Sequence, residues 1–200
     1  GRAIIYRDAG TNAPAAIAAD PLVRQLRWHS DAVRFYLPPP GIFAPMFKFR
    51  DGRYARLDTD GKQTWFTSRG RLLRIYDRYE KNSLEMVYNR RGDLIRIEDE
   101  LRRSLDIGYY RVGTDPEFRP GVDVVPDGFT GLGRIARLKD YSGRDVRYYY
   151  TVDGLLDRRE GPLVETAAPG GFTGRQVTRY TYSGPEQGER SARSLVALTG

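Results

Sequence analysis

The stretch Ser68-Arg-Gly-Arg-Leu-Leu-Arg-Ile-Tyr-Asp77 has a near copy at Arg90-Arg-Gly-Asp-Leu-Ile-Arg-Ile-Glu-Asp99. In both copies the glycine is followed by leucine at the second position, arginine at the fourth, isoleucine at the fifth and aspartate at the seventh. A pattern that returns after about 20 residues is the signature of a repeat protein. These two segments therefore decide how the remainder of the chain is interpreted.

The glycine recurs along most of the chain, and an aromatic ring stands four residues before all its occurrences but the first, which has Lys48 there. The glycines are Gly52, Gly70, Gly92, Gly113, Gly133, Gly154 and Gly184. The rings are Phe66, Tyr88, Tyr109, Phe129, Tyr150 and Tyr180. The copies around Gly113 and Gly184 lack the apolar residue after the glycine and are degenerate.

The residues on both sides of each glycine alternate in the manner of β-strands. Leu84–Tyr88 and Val146–Tyr150 precede a glycine, and apolar residues follow two positions after it at Leu72, Leu94, Ile135 and Leu156. Period-two alternation broken by Gly, Asn and Asp predicts β-hairpins, because glycine tolerates a positive φ and Asn and Asp bond to the nearby backbone. Each repeat is therefore predicted to be one hairpin.

An aspartate at the end of the second strand is expected to begin the next turn. These aspartates are Asp77, Asp99 and Asp140. Asp140 is followed by Gly143, but no glycine stands at the matching position after Asp77 or Asp99. Those two turns must differ, or hold a non-glycine residue with positive φ. Asn82 offers an alternative for the first of them if the turn is longer.

The pattern predicts an all-β fold of successive antiparallel hairpins stacked into a curved or spiralling sheet. Residues 45–200 form the repeat array, with about six repeats of which the last are degenerate, and residues 1–44 form an irregular segment. In that segment Leu22–Trp28 is predicted to pair with Val33–Leu37 as a hairpin. A short helix over Leu22–Arg27, begun by Asp20 and Pro21, is the alternative. The alanine-rich residues 12–19 resemble a flexible connection.

The spacing resembles that of the YD-repeat, or RHS-repeat, family. Tyr88-x-x-x-Gly92-x-Leu94-x-x-Ile97-x-Asp99 and Tyr150-x-x-x-Gly154-x-Leu156 carry the resemblance, which covers roughly residues 45 to 200. It implies a hollow β-sheet shell that encloses a toxin, as in bacterial polymorphic toxins and insecticidal toxin complexes, or a large extracellular barrel, as in teneurin-like proteins. It also implies that this chain pairs with further repeats of a longer chain, or with copies of itself. We see no counterpart of the family's aspartyl autoprotease signature.

Composition agrees with a thin, partly wet sheet. Of 33 lysines and arginines only four are lysines, and 14 residues are tyrosines. Both arginine and tyrosine have apolar bodies with polar tips, which suits a sheet wetted on both faces. The net charge of +7 raises the question of nucleic-acid binding. We do not expect it, because the arginines are spread at the repeat spacing rather than gathered in one run.

Catalytic, metal and cofactor sites are not expected. The chain has no cysteine and one histidine, His29, which we interpret as polar surface. Paired carboxylates for glycoside cleavage are an alternative interpretation of Asp77, Asp99 and Asp140, but their equal place in each repeat favours a turn role. No apolar run is long enough to span a membrane.

Two functions from different classes remain. The favoured one is a structural segment of a YD/RHS-repeat shell that encapsulates or displays a toxin or effector module, in a protein that is secreted, held at the cell surface or delivered by a secretion system. The alternative is a surface adhesin or carbohydrate-binding β-repeat module whose exposed rings and arginines bind glycans.

Overall fold

The computed structural model describes residues 4–25, 31–110, 133–151, 154–165, 173–182 and 195–199. Within these residues the chain is almost entirely antiparallel β-structure, with fourteen strands and two helices of about one turn. The predicted all-β class and the stacking of successive hairpins are therefore confirmed.

The chain divides into two compact units, Gly1–Arg103 and Ser104–Gly200. The first unit contains α1 (Ala15–Ala18), α2 (Pro21–Gln25) and eight strands. These strands are β1 (Arg7–Gly10), β2 (Ala32–Leu37), β3 (Met46–Phe49), β4 (Tyr54–Leu57), β5 (Gln63–Phe66), β6 (Leu72–Tyr76), β7 (Ser83–Tyr88) and β8 (Leu94–Asp99).

The second unit contains six strands. They are β9 (Ser104–Tyr109), β10 (Ile135–Asp140), β11 (Asp145–Tyr150), β12 (Leu156–Glu165), β13 (Thr173–Tyr182) and β14 (Leu195–Thr199). Within each unit every strand pairs antiparallel with the next strand along the chain, so neighbours in sequence are neighbours in the sheet. This order places the turns alternately at the two ends of the strands.

The principal hydrophobic core of the first unit lies where the two helices cover β2–β4. Phe47 is 0 % exposed and meets Phe35 edge to face, with ring centroids 5.9 Å apart. Ile17 of α1 and Val23 of α2 are buried in the same cluster. The cluster is enclosed between the helices and the strands, so its side chains are removed from water. We therefore expect it to contribute more to stability than the uncovered parts of the sheet.

The predictions for the N-terminal segment need correction. Residues 21–25 form α2, so the helical alternative is correct for these residues and the predicted strand is wrong, and Ile17 lies in α1 rather than in a flexible connection. The second strand of the predicted hairpin is present as β2, but it pairs with β1 and β3, and residues 26–28 lie outside the described residues. Helix formation buries Ile17 and Val23 against the strands, and this tertiary contact outweighs the local alternation of residues 22–28.

Candidate functional site

The recurring glycines close the turns between paired strands. Gly70 has a φ of 79°, and its N–H donates to the Thr67 carbonyl at 2.9 Å. The Thr67 N–H in turn donates to the Arg71 carbonyl at 2.8 Å. This is a three-residue hairpin loop, in which a turn is followed by a residue with left-handed conformation. The same pair of bonds closes the turns at Gly52, Gly92 and Gly154, all with positive φ.

The turn after Tyr109 departs from the predicted register. Tyr110 bonds to Arg134 and Gly133 across the turn, so Gly133 rather than Gly113 closes the hairpin that Tyr109 begins. Gly113 and Phe129 lie outside the described residues. The two predicted pairs, Tyr109 with Gly113 and Phe129 with Gly133, are thus one hairpin with an insertion. No apolar residue follows Gly113 to start a strand, whereas Ile135 follows Gly133.

Each ring faces the aliphatic residue across its turn. The directly opposed pairs are Phe66 with Leu72, Tyr88 with Leu94, Tyr109 with Ile135 and Tyr150 with Leu156. In all four pairs the register shifts by one residue next to the pair, which marks a β-bulge. Bulges increase the local twist of a sheet. The turn at Gly52, which lacks the ring, pairs Lys48 with Tyr54 and has no bulge.

The tyrosine hydroxyls join one repeat to the preceding one. The Tyr88 hydroxyl donates to the Leu72 carbonyl at 2.7 Å, and the Tyr150 hydroxyl donates to the Ile135 carbonyl at 3.0 Å. In both cases the acceptor is the residue two positions after the glycine of the preceding repeat. A phenylalanine at this position could not make this hydrogen bond between repeats.

The arginine directly after the glycine was not singled out from the sequence. The Arg71 guanidinium lies 5.8 Å from the Tyr88 ring centroid, and a Cβ built on Gly92 would collide with it. Arg134 lies in the same way 5.4 Å from the Tyr150 ring and 3.2 Å from a Cβ built on Gly154. The guanidinium thus covers the ring and the glycine of the following repeat. The recurrence of arginine directly after the glycine is the sequence signal that would have indicated this contact.

The aspartate turns use the same hairpin geometry, with the carboxylate as an additional acceptor. Asp140 Oδ1 accepts from the backbone N–H groups of Ser142 and Arg144, each at 3.0 Å. A hydrogen bond from the Ser142 hydroxyl, followed by bonds from Arg144, lowers the pKa of Asp140. Asp77 and Asp99 accept comparable backbone bonds, and side-chain hydrogen bonds from Asn82 and Arg103 lower their pKa values.

The two turns without glycine hold a non-glycine residue with positive φ, as one of the sequence alternatives stated. Glu80 has a φ of 55° and Arg102 a φ of 60°. The turn after Asp77 is longer by one residue, because the Asp77 N–H donates to the Asn82 carbonyl. Asn82 does not take the left-handed conformation, and its amide donates to the Asp77 carboxylate at 2.6 Å instead.

The arginines four residues after the glycine lie beside acidic or aromatic side chains. Arg74 pairs with Glu85 on the next strand and donates to the Tyr76 hydroxyl. Arg158 donates to Glu160 at 3.2 Å and lies 3.9 Å from the Tyr149 ring centroid. Arg74 and Glu85 thus form a cross-strand charge pair, whereas Arg158 and Glu160 pair along one strand, β12.

The charged face of the first unit is continuous with its hydrophobic core. Phe47, Ala55, Trp65, Arg74 and Glu85 are directly opposed in succession from β3 to β7, and opposed residues share one face of a sheet. That face is therefore apolar under the helices and charged beyond β5. On the other face a further row of opposed residues begins with an apolar side chain, is polar on β4 and β5, and is apolar again on β6 and β7. Its members are Met46, Arg56, Thr64, Ile75 and Leu84.

An arginine clamp joins three strands of the second unit. Arg175 on β13 donates to the Gly161 carbonyl at 2.8 Å, to the Asp145 carbonyl at 3.0 Å and to the Asp145 carboxylate at 2.6 Å. The register of β12 shifts between Glu160 and Leu163, which places the clamp beside an irregularity. Burial alone would raise the pKa of Asp145, but bonds from Arg147 and Arg175 outweigh it and lower that pKa.

Tyr110 is the second residue of this unit that sequence analysis missed. Its side chain is 6 % exposed, and its hydroxyl donates to the Tyr148 carbonyl at 2.7 Å. Burial raises the pKa of this hydroxyl to about 12. The ring meets Tyr150 edge to face at 5.9 Å, so it belongs to the packing of the sheet.

Two open cavities lie on the first unit. One, of about 300 Å³, is bordered by Arg53, Trp65, Leu73, Arg74, Tyr76 and Glu85. Trp65 is stacked on Phe49 at 4.9 Å, and Arg53 lies 5.4 Å from its ring centroid. A ring that binds a sugar needs an open face, and the Trp65 ring is already in contact with Phe49 and Arg53. The cavity would therefore offer a glycan mainly the polar groups of the side chains that border it.

The other cavity, of about 390 Å³, is bordered by Ile75, Leu84 and Leu101 together with Asp77 and Asp99. Paired carboxylates of a glycosidase need one member with a raised pKa, and the pKa values of both aspartates are lowered. Both carboxylates accept hydrogen bonds from their own turns. His29 lies outside the described residues.

Three further observations bear on function. In the described ranges, no group of three or more His, Cys, Asp or Glu residues is arranged to hold a metal ion. Among the same residues, no helix is long and apolar enough to cross a membrane. No family model matches the chain, and a search of curated proteins gives no match either. The resemblance to the YD-repeat family thus rests on the motifs themselves.

Proposed function

We propose that this chain is a structural segment of a YD/RHS-type β-shell that encapsulates or displays a toxin or effector module. The observation that carries the proposal is the recurring bond between repeats, from Tyr88 to Leu72 and from Tyr150 to Ile135. A hydrogen bond that recurs at the same position of the repeat allows each further hairpin to be added to the sheet in the same way. Such regularity suits a wall more than a reaction centre.

The distribution of polar and apolar residues supports the same proposal. The charged row through Arg74 and Glu85 makes one face wettable, whereas Ile75 and Leu84 lie on the other. A wall between solvent and a cargo needs two faces of different character and short turns between successive strands. Its work is mechanical, since it separates an enclosed protein from the surroundings until delivery.

The test uses the whole natural polypeptide that contains this segment. We expect electron microscopy of the purified protein to show a hollow particle, and expect a region outside the repeats to resist protease until the shell is opened with denaturant. The Tyr88→Phe and Tyr150→Phe substitutions together should make that region sensitive at lower denaturant concentration. A solid particle, or a region cleaved at once in the intact protein, would refute encapsulation.

A carbohydrate-binding module is the second candidate, and the 300 Å³ cavity beside Trp65 and Tyr76 is the observation in its favour. Arg53, Arg74 and Glu85 supply hydrogen-bonding groups around it. A glycan array with the purified chain decides the matter, with Glu85→Ala as the matched variant. Binding that this substitution abolishes would support the adhesin, and an array without signal would exclude it.

A further inference from the structure

The glycine turns of the first unit carry a clear excess of positive charge. Residues 50–53, 68–71 and 90–93 contain six arginines and two aspartates. The aspartate turns, residues 58–62, 77–82 and 99–103, contain six carboxylates and five cationic side chains. Because the two kinds of turn alternate along an antiparallel sheet, they lie at opposite ends of the strands. We call the three glycine turns of this unit the basic rim.

The two aspartates of the basic rim accept hydrogen bonds from residues of their own turns. Asp51 accepts a hydrogen bond of 2.6 Å from Arg53, and Asp93 accepts one of 3.1 Å from Asn89. Each turn also presents an exposed arginine with no acidic partner in the part of the chain that the structure describes. These arginines are Arg50, Arg69 and Arg90. The charge of the rim is thus open to an external anion.

The spacing of these arginines follows from the sheet. Successive glycine turns are separated by two strands, so one arginine recurs about every 10 Å along the rim. A polypeptide in the extended polyproline II conformation has three residues per turn and advances about 3.1 Å per residue, so its every third side chain lies on the same face and recurs at nearly the same distance. Arginine also matches the planar geometry of a carboxylate, with two parallel hydrogen bonds.

A nucleic acid fits the rim less well. Binding of single strands uses aromatic faces on which bases stack. The rings nearest to the rim are covered, since Arg53 lies over Trp65 at 5.4 Å and Arg71 over Tyr88 at 5.8 Å. Duplex DNA carries about one charge per 1.7 Å, far denser than the arginines of the rim.

We propose that the basic rim binds an extended acidic segment of a protein, whose carboxylates pair with Arg50, Arg69 and Arg90. This interaction goes beyond the proposed wall function and does not depend on it, because it requires only the first unit and its turns. The partner is defined by its chemistry: a peptide stretch with an acidic residue at every third position.

The test is fluorescence anisotropy of the purified chain with a labelled peptide that has glutamate at every third position and serine elsewhere. We expect saturable binding that weakens as salt is raised. The combined Arg50→Gln, Arg69→Gln and Arg90→Gln variant should bind about tenfold more weakly. Thermal melting confirms that this variant folds, since all three side chains are exposed.

The matched control removes the same charge from the opposite end, with Arg78→Gln, Lys81→Gln and Arg102→Gln, and should bind as the unchanged chain does. Equal weakening of peptide binding by both triple variants would mean that binding depends only on the net charge of the chain, and it would overturn the proposal. A peptide of the same composition with its glutamates in one block should bind more weakly, and equal binding would refute the spacing argument. Tighter binding of oligothymidylate than of the spaced peptide would assign the rim to nucleic acid instead.

Discussion

The Tyr88 hydroxyl donates a 2.7 Å hydrogen bond to the Leu72 carbonyl, the residue two positions after the glycine of the preceding repeat. The chemical basis of the repeat lies in this relationship, because it links the recurring spacing within one hairpin to the position of the next. Tyr150 and Ile135 repeat it in the second unit at 3.0 Å.

Tyr88→Phe removes the hydroxyl and leaves the ring against Leu94 and Arg71. We expect a loss of about 1 kcal/mol in the free energy of unfolding, measured with chemical denaturant, because one partly buried hydrogen bond is lost. Tyr150→Phe should cost a similar amount. Tyr79→Phe is the control, since Tyr79 is 73 % exposed at the tip of a turn, and it should change little. Equal stability of all three variants would contradict a role for the hydroxyl bonds.

Gly92→Ala and Gly70→Ala separate backbone strain from the contact with Arg71. Both glycines have positive φ, so alanine costs about 1–2 kcal/mol at either position. At Gly70 a Cβ would meet nothing within 4 Å, whereas at Gly92 it would displace the Arg71 guanidinium from Tyr88. Gly92→Ala should therefore be the more destabilising in denaturant titrations. In an Arg71→Ala background the two substitutions should cost the same, and a persistent difference would refute the contact.

Arg102→Gly is expected to stabilise the protein by about 0.5–1 kcal/mol, because glycine adopts the φ of 60° without the strain of a Cβ. Glu80→Gly relieves the same strain but removes the acceptor of a 2.7 Å bond from Gln63, which is 0 % exposed. It should therefore give no gain, since a buried amide would lose its partner. Thermal melting of the two variants makes the comparison. A gain in both would mean that the Gln63 bond contributes nothing.

The hairpins were predictable from the sequence because their determinants are local. Glycine with positive φ, the ring four residues earlier and the aspartate that accepts from its own turn all lie within ten residues or so of one another. The missing glycine after Asp99 even indicated the positive φ that Arg102 adopts. Local chemistry thus predicted the turns and the strands they join.

The rest depends on contacts that the local sequence does not contain. The local sequence left both a strand and a helix begun by Asp20 and Pro21 open, and burial of Ile17 and Val23 against β2–β4 favours the helix. The spacing predicts a turn at Gly113, which lies outside the described residues, whereas Gly133 closes the hairpin that Tyr109 begins. The Arg175 clamp joins residues 30 positions apart, and no short pattern identifies it.

The clamp makes a prediction for acid stability. The pKa of Asp145 is lower in the folded chain than its unfolded value of about 4, so its ion pair stabilises the fold above that pH and is lost as the pH falls through the folded pKa. Asp145→Asn should cost about 2 kcal/mol at neutral pH and reduce the loss of stability on acidification. Asp51→Asn is the comparison: hydrogen bonds from Arg53 also lower the pKa of Asp51, but this carboxylate is exposed and solvent weakens its interactions, so the substitution should change the pH profile less than Asp145→Asn does. Denaturant titrations between neutral and acid pH provide the measurement.

Phe47→Ala and Leu94→Ala compare the covered and the open parts of the first unit. Phe47 is 0 % exposed beneath the helices, and its loss leaves a cavity, so we expect a cost of about 3–5 kcal/mol. Leu94 is only half-buried on an open face, where water fills the space of a removed side chain, and its loss should cost about 1–2 kcal/mol. Hydrogen exchange should accordingly be slower in β3 than in β8. Equal losses of unfolding free energy for the two substitutions at low protein concentration would mean that the open face around Leu94 is packed as tightly as the core. If the two losses become equal only as the protein concentration rises, a second copy of the chain covers that face.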